Sequence, residues 1–177
     1  MKCQSTNCEY AIRFAIRQIR MAFVSDWHHC FMIEITTHSA SQTKNIASAL
    51  AKEIKKTPHK TGAFVVALEG NLGSGKTTFA QGFARGLGIK DIPKSPTFVL
   101  MNVYPFGKAR HLVHIDCYRI KSSKELLHLG VKEIFKDPHS IVVIEWAERI
   151  KKILPKSIVR ISFHHGKKSN ERKLKVL

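Results

Sequence analysis

Long hydrophobic runs are missing from this chain. No apolar stretch approaches the roughly 20 residues of a membrane-spanning helix, and the longest uncharged segment, residues 95–107, is interrupted by Pro96 and Pro105. A spanning segment is therefore not expected. Cysteine is sparse: Cys3, Cys8, Cys30 and Cys117 form no C-x-x-C pair. That pattern argues against a disulfide scaffold and for a reducing compartment, the cytoplasm. The cluster His28, His29, Cys30 lacks the second ligand pair that closes a metal site. Acidic residues are scarce as well, with 13 Asp and Glu against 30 Lys and Arg and a formal net charge of +17. Such a balance points to a polyanionic partner, because each phosphate contacted releases condensed counterions. A solvated basic surface accounts equally well for the count. From Lys151 onward nine basic residues face Glu171 alone.

What is present is enough for one domain. The 177 residues are 44% hydrophobic and 24% charged, the balance of a globular protein with a core of its own. Residues 1–31 read as an N-terminal extension. Within them Arg13, Arg17 and Arg20 share one helical face and Ile12, Ile16, Ile19 and Phe23 another. A basic surface helix and a transit peptide both fit this pattern; the reading favoured here is that Met32 is the true start. Residues 32–177 then form a single domain with a basic C-terminal tail.

Strands are expected over residues 32–36, 64–68, 97–104, 111–116, 141–145, 157–163 and 172–176. A Pro-Phe-Gly turn is expected between the third and fourth of these. The runs FVVAL and IVVIE are continuously apolar, as in strands buried on both faces. Helices are expected from Ser39 or Ser41 to about Lys56 and from Lys76 to Leu87. Gly82 and Gly86 each cost the second helix about 1 kcal/mol relative to Ala, so close packing is expected to require them. The element order indicates an α/β fold with a mixed, partly parallel sheet flanked by helices, like that of P-loop NTPases.

Gly70-Asn71-Leu72-Gly73-Ser74-Gly75-Lys76-Thr77 matches G-x-x-x-x-G-K-[ST], between a buried strand and a helix. Glycines let consecutive amides converge into an anion-binding nest, and the helix adds the positive end of its dipole. Asn71 through Thr78 are the expected nucleotide-binding residues. Lys76 reaches the β- and γ-phosphates, and the Thr77 hydroxyl is a ligand for Mg²⁺. ATP and Mg²⁺ are the expected cofactors. A P-loop also requires an acid at the end of a neighbouring strand. Asp116 and Glu145 both end apolar runs, and spacing alone does not separate their roles.

Beyond the loop, the segments SPTFVLMNVY (95–104), HLVHIDCYRI (111–120), LGVKEIF (129–135) and IVVIEWAERI (141–150) resemble the bacterial tRNA threonylcarbamoyladenosine biosynthesis ATPase family TsaE, also called YjeE. The resemblance covers residues 32–163. It implies an ATP-hydrolysing subunit needed for the threonylcarbamoyl modification of the adenosine beside the anticodon in ANN-decoding tRNAs. Its implied partners are the transferase TsaD and the subunit TsaB, with tRNA met through the complex. By that resemblance Glu145 is the second magnesium contact and Asp116 the hydrolytic residue, working with Lys76. Thr97 resembles a switch threonine, and Trp146 and the cap from Ser39 to Thr43 lie where the family shapes the nucleotide pocket. Trp146 as simple core, and Tyr118 with Arg119 as a packed aromatic beside an exposed base, are the structural alternatives.

Two other functions share the loop: a small nucleotide or metabolite kinase, and a nucleotide-gated tRNA-binding module without hydrolysis. Hydrolysis by the isolated chain is expected to be weak. Arg119 is the nearest candidate for an arginine finger, with a partner subunit as the other source.

Overall fold

The structure, a computed structural model, describes residues 33–57, 61–90 and 100–176. The N-terminal extension, Met32 and the expected switch residue Thr97 lie outside the described residues. In chain order the elements are β1 (Ile33–Thr37), α1 (Ala40–Lys56), β2 (Phe64–Gly70), α2 (Lys76–Leu87), β3 (Met101–Phe106) and β4 (Arg110–Asp116). There follow α3 (Ser123–His128), α4 (Val131–Lys136), β5 (Ser140–Glu145), a 3-10 helix (Ala147–Ile153), β6 (Val159–His165) and β7 (Arg172–Val176).

The two continuously apolar runs sit side by side in the middle of one seven-stranded sheet, ordered β1-β7-β6-β2-β5-β4-β3. Strands β6, β2, β5 and β4 are mutually parallel, while β1, β7 and β3 add antiparallel pairs at the two ends. A strand covered by helices on both faces has no wet side, so β2 and β5 carry no alternation. One face packs Phe64, Val66, Leu68, Ile141 and Val143 beneath α1 and α2. The other packs Val65, Ala67, Val142 and Ile144 beneath α3, α4 and the 3-10 helix. Phe79 of α2 meets the edge of Phe163 of β6 at 5.6 Å between ring centres.

Ser39 caps α1, its side chain accepting from the Gln42 amide at 3.1 Å, and Gln42 in turn accepts from the His38 amide at 2.7 Å. Helix α1 lies so close to α2 that a methyl group at Gly82 would collide with the Lys44 backbone, and one at Gly86 with Ser48 and Ala51. The two glycines inside a helix are therefore the condition of the helix pairing.

Two expectations need correction. Pro105 and Phe106 lie within β3, and the turn begins at Gly107, whose φ is +63°. The reason is position: β3 is the edge strand of the sheet, where a residue without an N–H is tolerated. Helices α3 and α4 lie between β4 and β5, where no element had been expected from periodicity. At six residues each, they are too short to show a 3.6-residue repeat.

Candidate functional site

Parallel strands end on the same side, and here that edge gathers the chemistry. Leu68 of β2 pairs with Glu145 of β5, and Glu145 pairs with Asp116 of β4. The phosphate loop leaves the end of β2 and two carboxylates stand on the neighbouring strand ends. Open α/β sheets bind ligands outside the carboxyl ends of their strands.

The loop enters α2 through Gly75 at φ 103°, a left-handed conformation that side-chain-bearing residues rarely adopt. Lys76 follows at the first turn of α2. Its buried Nζ donates to Gly70 O at 2.7 Å and Asn71 O at 2.9 Å. It also lies 3.7 Å from the centre of the Trp146 ring. Burial pulls the Lys76 pKa below its ordinary value, opposed by the charges of Glu145, Glu148 and Asp116.

Thr77 donates from Oγ1 to Oε2 of Glu145 at 2.7 Å. The other oxygen, Oε1, lies 3.0 Å from Nε2 of His114, and both of these side chains are buried. Asp116 is also buried, and its Oδ1 accepts from the Tyr118 amide at 2.9 Å. Thr77 and the two acids form a set of oxygen donors, which suits a hard cation. Magnesium keeps several waters and takes one or two carboxylates together with substrate phosphates. Among the described residues no three His, Cys, Asp or Glu are grouped to hold a metal ion. Ser74 is fully buried within the loop and its Oγ has no hydrogen-bond partner.

The cleft has a volume of about 270 Å³ and is lined by Leu72, Gly73, Gly75, Lys76, Thr77, Thr78, Asp116, Tyr118, Glu145 and Trp146. Nine of these ten are among the residues expected from sequence; Tyr118 is the addition. Asn71 is exposed beside the cleft and contributes its carbonyl to Lys76. Thr43 does not line it: buried in α1, its hydroxyl is 2.9 Å from that of Thr37 and also reaches Ser39 O. Arg119 is exposed and does not line the cleft either.

Trp146 proves to be more than core. It has φ 58° and is the one non-glycine residue at positive φ among the described residues. For a bulky side chain this backbone is an outlier that costs on the order of 1–3 kcal/mol and that functional sites tend to hold. The conformation sets its ring over Lys76 and 5.0 Å from the Tyr118 ring. Arg149 lies 5.8 Å and 5.9 Å from the same two rings.

Sequence reasoning missed His114, Arg149, and two residues of the tail, His165 and Arg172, that touch the loop. For His114 the available signal was its place two residues before Asp116, which puts both on one face of β4. Nothing local pointed to the other three.

A buried parallel strand, a glycine-rich turn, a helix opening on Lys-Thr and acids on adjacent strand ends together define a protein of the P-loop class. Comparison with known proteins narrows the class. The family model described as threonylcarbamoyl adenosine biosynthesis protein TsaE matches residues 37–174. The tRNA threonylcarbamoyladenosine biosynthesis protein TsaE of Bacillus subtilis is 41% identical over 115 residues, which are 62% of this chain and 70% of that protein. Its namesake from Rickettsia prowazekii is 34% identical over 128 residues, 72% of this chain and 83% of that one. A crystal structure of Bacillus subtilis YdiB superposes with a TM-score of 0.66 at 31% identity, covering 85% of this chain and 87% of that one. The chain belongs to the TsaE family.

Proposed function

We propose that this protein binds ATP with Mg²⁺ and hydrolyses it in support of the threonylcarbamoyl modification of tRNA. In this reading it acts beside the transferase TsaD and its partner TsaB. The relatives named for that biosynthesis carry the pathway half of the proposal. The observation that carries the chemical half is the contact of Thr77 Oγ1 with Glu145 Oε2, next to a buried Lys76.

Lys76 exchanges its two carbonyl partners for β- and γ-phosphate oxygens, and its desolvation strengthens that attraction. Thr77 and Glu145 would hold the magnesium ion, which would supply charge neutralisation at the phosphate oxygens. Asp116, fixed by the Tyr118 amide, orients the attacking water. Tyr118 and Trp146 form the apolar wall of the cleft. Arg119 and Arg149 are both exposed and neither lines the cleft, although Arg149 lies beside the aromatic pair, so the transition-state charge is left chiefly to an arginine from a partner subunit.

Hydrolysis and binding separate in one variant. Asp116→Asn is expected to bind ATP as the wild type does while phosphate release falls by about two orders of magnitude or more. Equal release by the variant would remove Asp116 from the hydrolytic role, and no release by the wild type, alone or with its partners, would leave a nucleotide-gated binding module as the better account. In a mixture of the purified pathway components, ATP and tRNA, this chain is expected to permit repeated rounds of modification. Transfer of the γ-phosphoryl group to a nucleoside or sugar acceptor would make it a kinase instead.

A further inference from the structure

A trans peptide unit points its C=O and its N–H in opposite directions. A phosphate loop whose amides must face an anion is therefore controlled equally well from its outer side, through the carbonyls. In this protein two such carbonyls are held by side chains of the β6–β7 hairpin. His165 Nε2 lies 3.2 Å from Leu72 O; a carbonyl can only accept, so this nitrogen carries the proton. Arg172 donates to Gly73 O from Nε at 3.3 Å and from Nη2 at 3.1 Å. Its Nη1 donates to Ser169 O at 2.7 Å and Glu171 O at 2.8 Å. All four bonds of the guanidinium run to main-chain carbonyls, and they tie the hairpin's turn to the phosphate loop.

The topology produces this contact. Strand β6 runs parallel to β2 with Phe163 opposite Gly70, so the residues after Phe163 run alongside the loop. His165 and Arg172 are themselves directly opposite each other across the hairpin. One rung of the β6–β7 ladder thus presents both side chains to the loop. Strand β7 lies between β6 and β1, which makes the hairpin a fixed support.

We propose that Arg172 and His165 are positioning residues for the phosphate site. They hold the Leu72 and Gly73 carbonyls outward, so that the amides sharing those peptide units, Gly73 N–H and Ser74 N–H, are presented to a polyphosphate. The Ser74 amide presently donates to Asn71 O at 3.3 Å, a long bond that a phosphate oxygen replaces. The basic tail accordingly has a part in the nucleotide site that its charge alone did not reveal. This inference rests on the reading of the cleft as an ATP site.

The test is to titrate wild type, Arg172→Ala, Arg172→Lys and His165→Ala with Mg-ATP and, separately, with magnesium tripolyphosphate. Backbone amide spectra are recorded for each protein. Arg172→Ala should weaken binding of both ligands by the same factor, about tenfold, as for loss of charge-assisted bonds; His165→Ala should weaken it about threefold, and Arg172→Lys should recover part of the loss. The Gly73 and Ser74 amide resonances should move in each alanine variant while those of β2 and β5 stay in place. If Arg172→Ala does not fold, Arg172→Lys and His165→Ala still decide the matter. Unchanged affinity in His165→Ala and Arg172→Lys, or unmoved Gly73 and Ser74 amides, would overturn the inference. Failure of the wild type to bind either ligand would instead overturn the ATP reading beneath it.

Discussion

Both oxygens of Glu145 are engaged within the protein, one by Thr77 and the other by His114. Were a cation to take the place of the Thr77 contact, as the proposed function requires, His114 would still fix the direction of the carboxylate, and outer partners of this kind typically change metal affinity by about 10- to 100-fold. His114→Ala is therefore expected to raise the half-saturating Mg²⁺ concentration for hydrolysis by at least about tenfold, and His114→Gln, which retains a donor, to restore most of it. ATP binding without Mg²⁺ should be the same in all three proteins, and a loss there would assign His114 to packing alone. Cys117 gives a second check at this scale. Burial, followed by the charges of Asp116 and Glu148, pushes its thiol up to about 12. Only the thiolate is nucleophilic, so in the native protein at pH 8 Cys117 should resist alkylation and should react once denaturant is added. Rapid native labelling at that position, read by peptide mass, would contradict the burial. Single residues were legible where a motif names them, as with Lys76 and Thr77. His114 resembled one more residue of an apolar strand, because what it does depends on a carboxylate 31 positions away.

At the scale of elements, α1 and α2 meet through Gly82 and Gly86. In an isolated helix Gly→Ala contributes about 1 kcal/mol of stability. Here the added methyl meets the backbone of Lys44 or Ser48, which cannot yield as a flexible side chain would. Overpacking of this sort costs about 1–3 kcal/mol, so Gly82→Ala and Gly86→Ala should each lower the thermal midpoint by several degrees; a raised midpoint would show that propensity wins. The reason for these glycines was legible before their contact was, because an unfavourable residue kept twice on one helix face implies a close neighbour. Other elements were legible in proportion to their length and pattern. The runs FVVAL and IVVIE and the N-cap at Ser39 announce themselves locally. Pro105 was misread as a turn residue because its tolerance depends on β3 being an edge. Helices α3 and α4 left one local signature, the capping box of Ser122 and Glu125.

Across the whole molecule, the strand order is the least legible feature. Strand β7 pairs with β1, joining residues 172–176 to 33–37, and no local pattern encodes a partner so distant. That pairing sets the strand expected over 172–176 inside the sheet, between β6 and β1, with Leu174 and Val176 buried and the preceding turn against the phosphate loop. It also divides the positive charge by task. Arg172 is engaged by carbonyls, whereas Lys167 and Lys168 are exposed and Lys173 is half-buried. If the tail contacts tRNA, replacing these three lysines by Gln should reduce the log–log salt slope of tRNA association by up to about 2.7, at roughly 0.9 per phosphate contact. An unchanged slope would mark the charge as solvated surface. In the proposed function, the shared edge of the parallel strands is where a main-chain cradle, one ammonium and a magnesium ion would grip the polyphosphate of ATP. The most direct test of that central claim is a calorimetric titration of the wild type and Lys76→Ala with ATP, with and without Mg²⁺. The account predicts saturable wild-type binding that Mg²⁺ strengthens, and at least a tenfold loss, about 1.4 kcal/mol, in the variant. Equal affinity in the two proteins would contradict it.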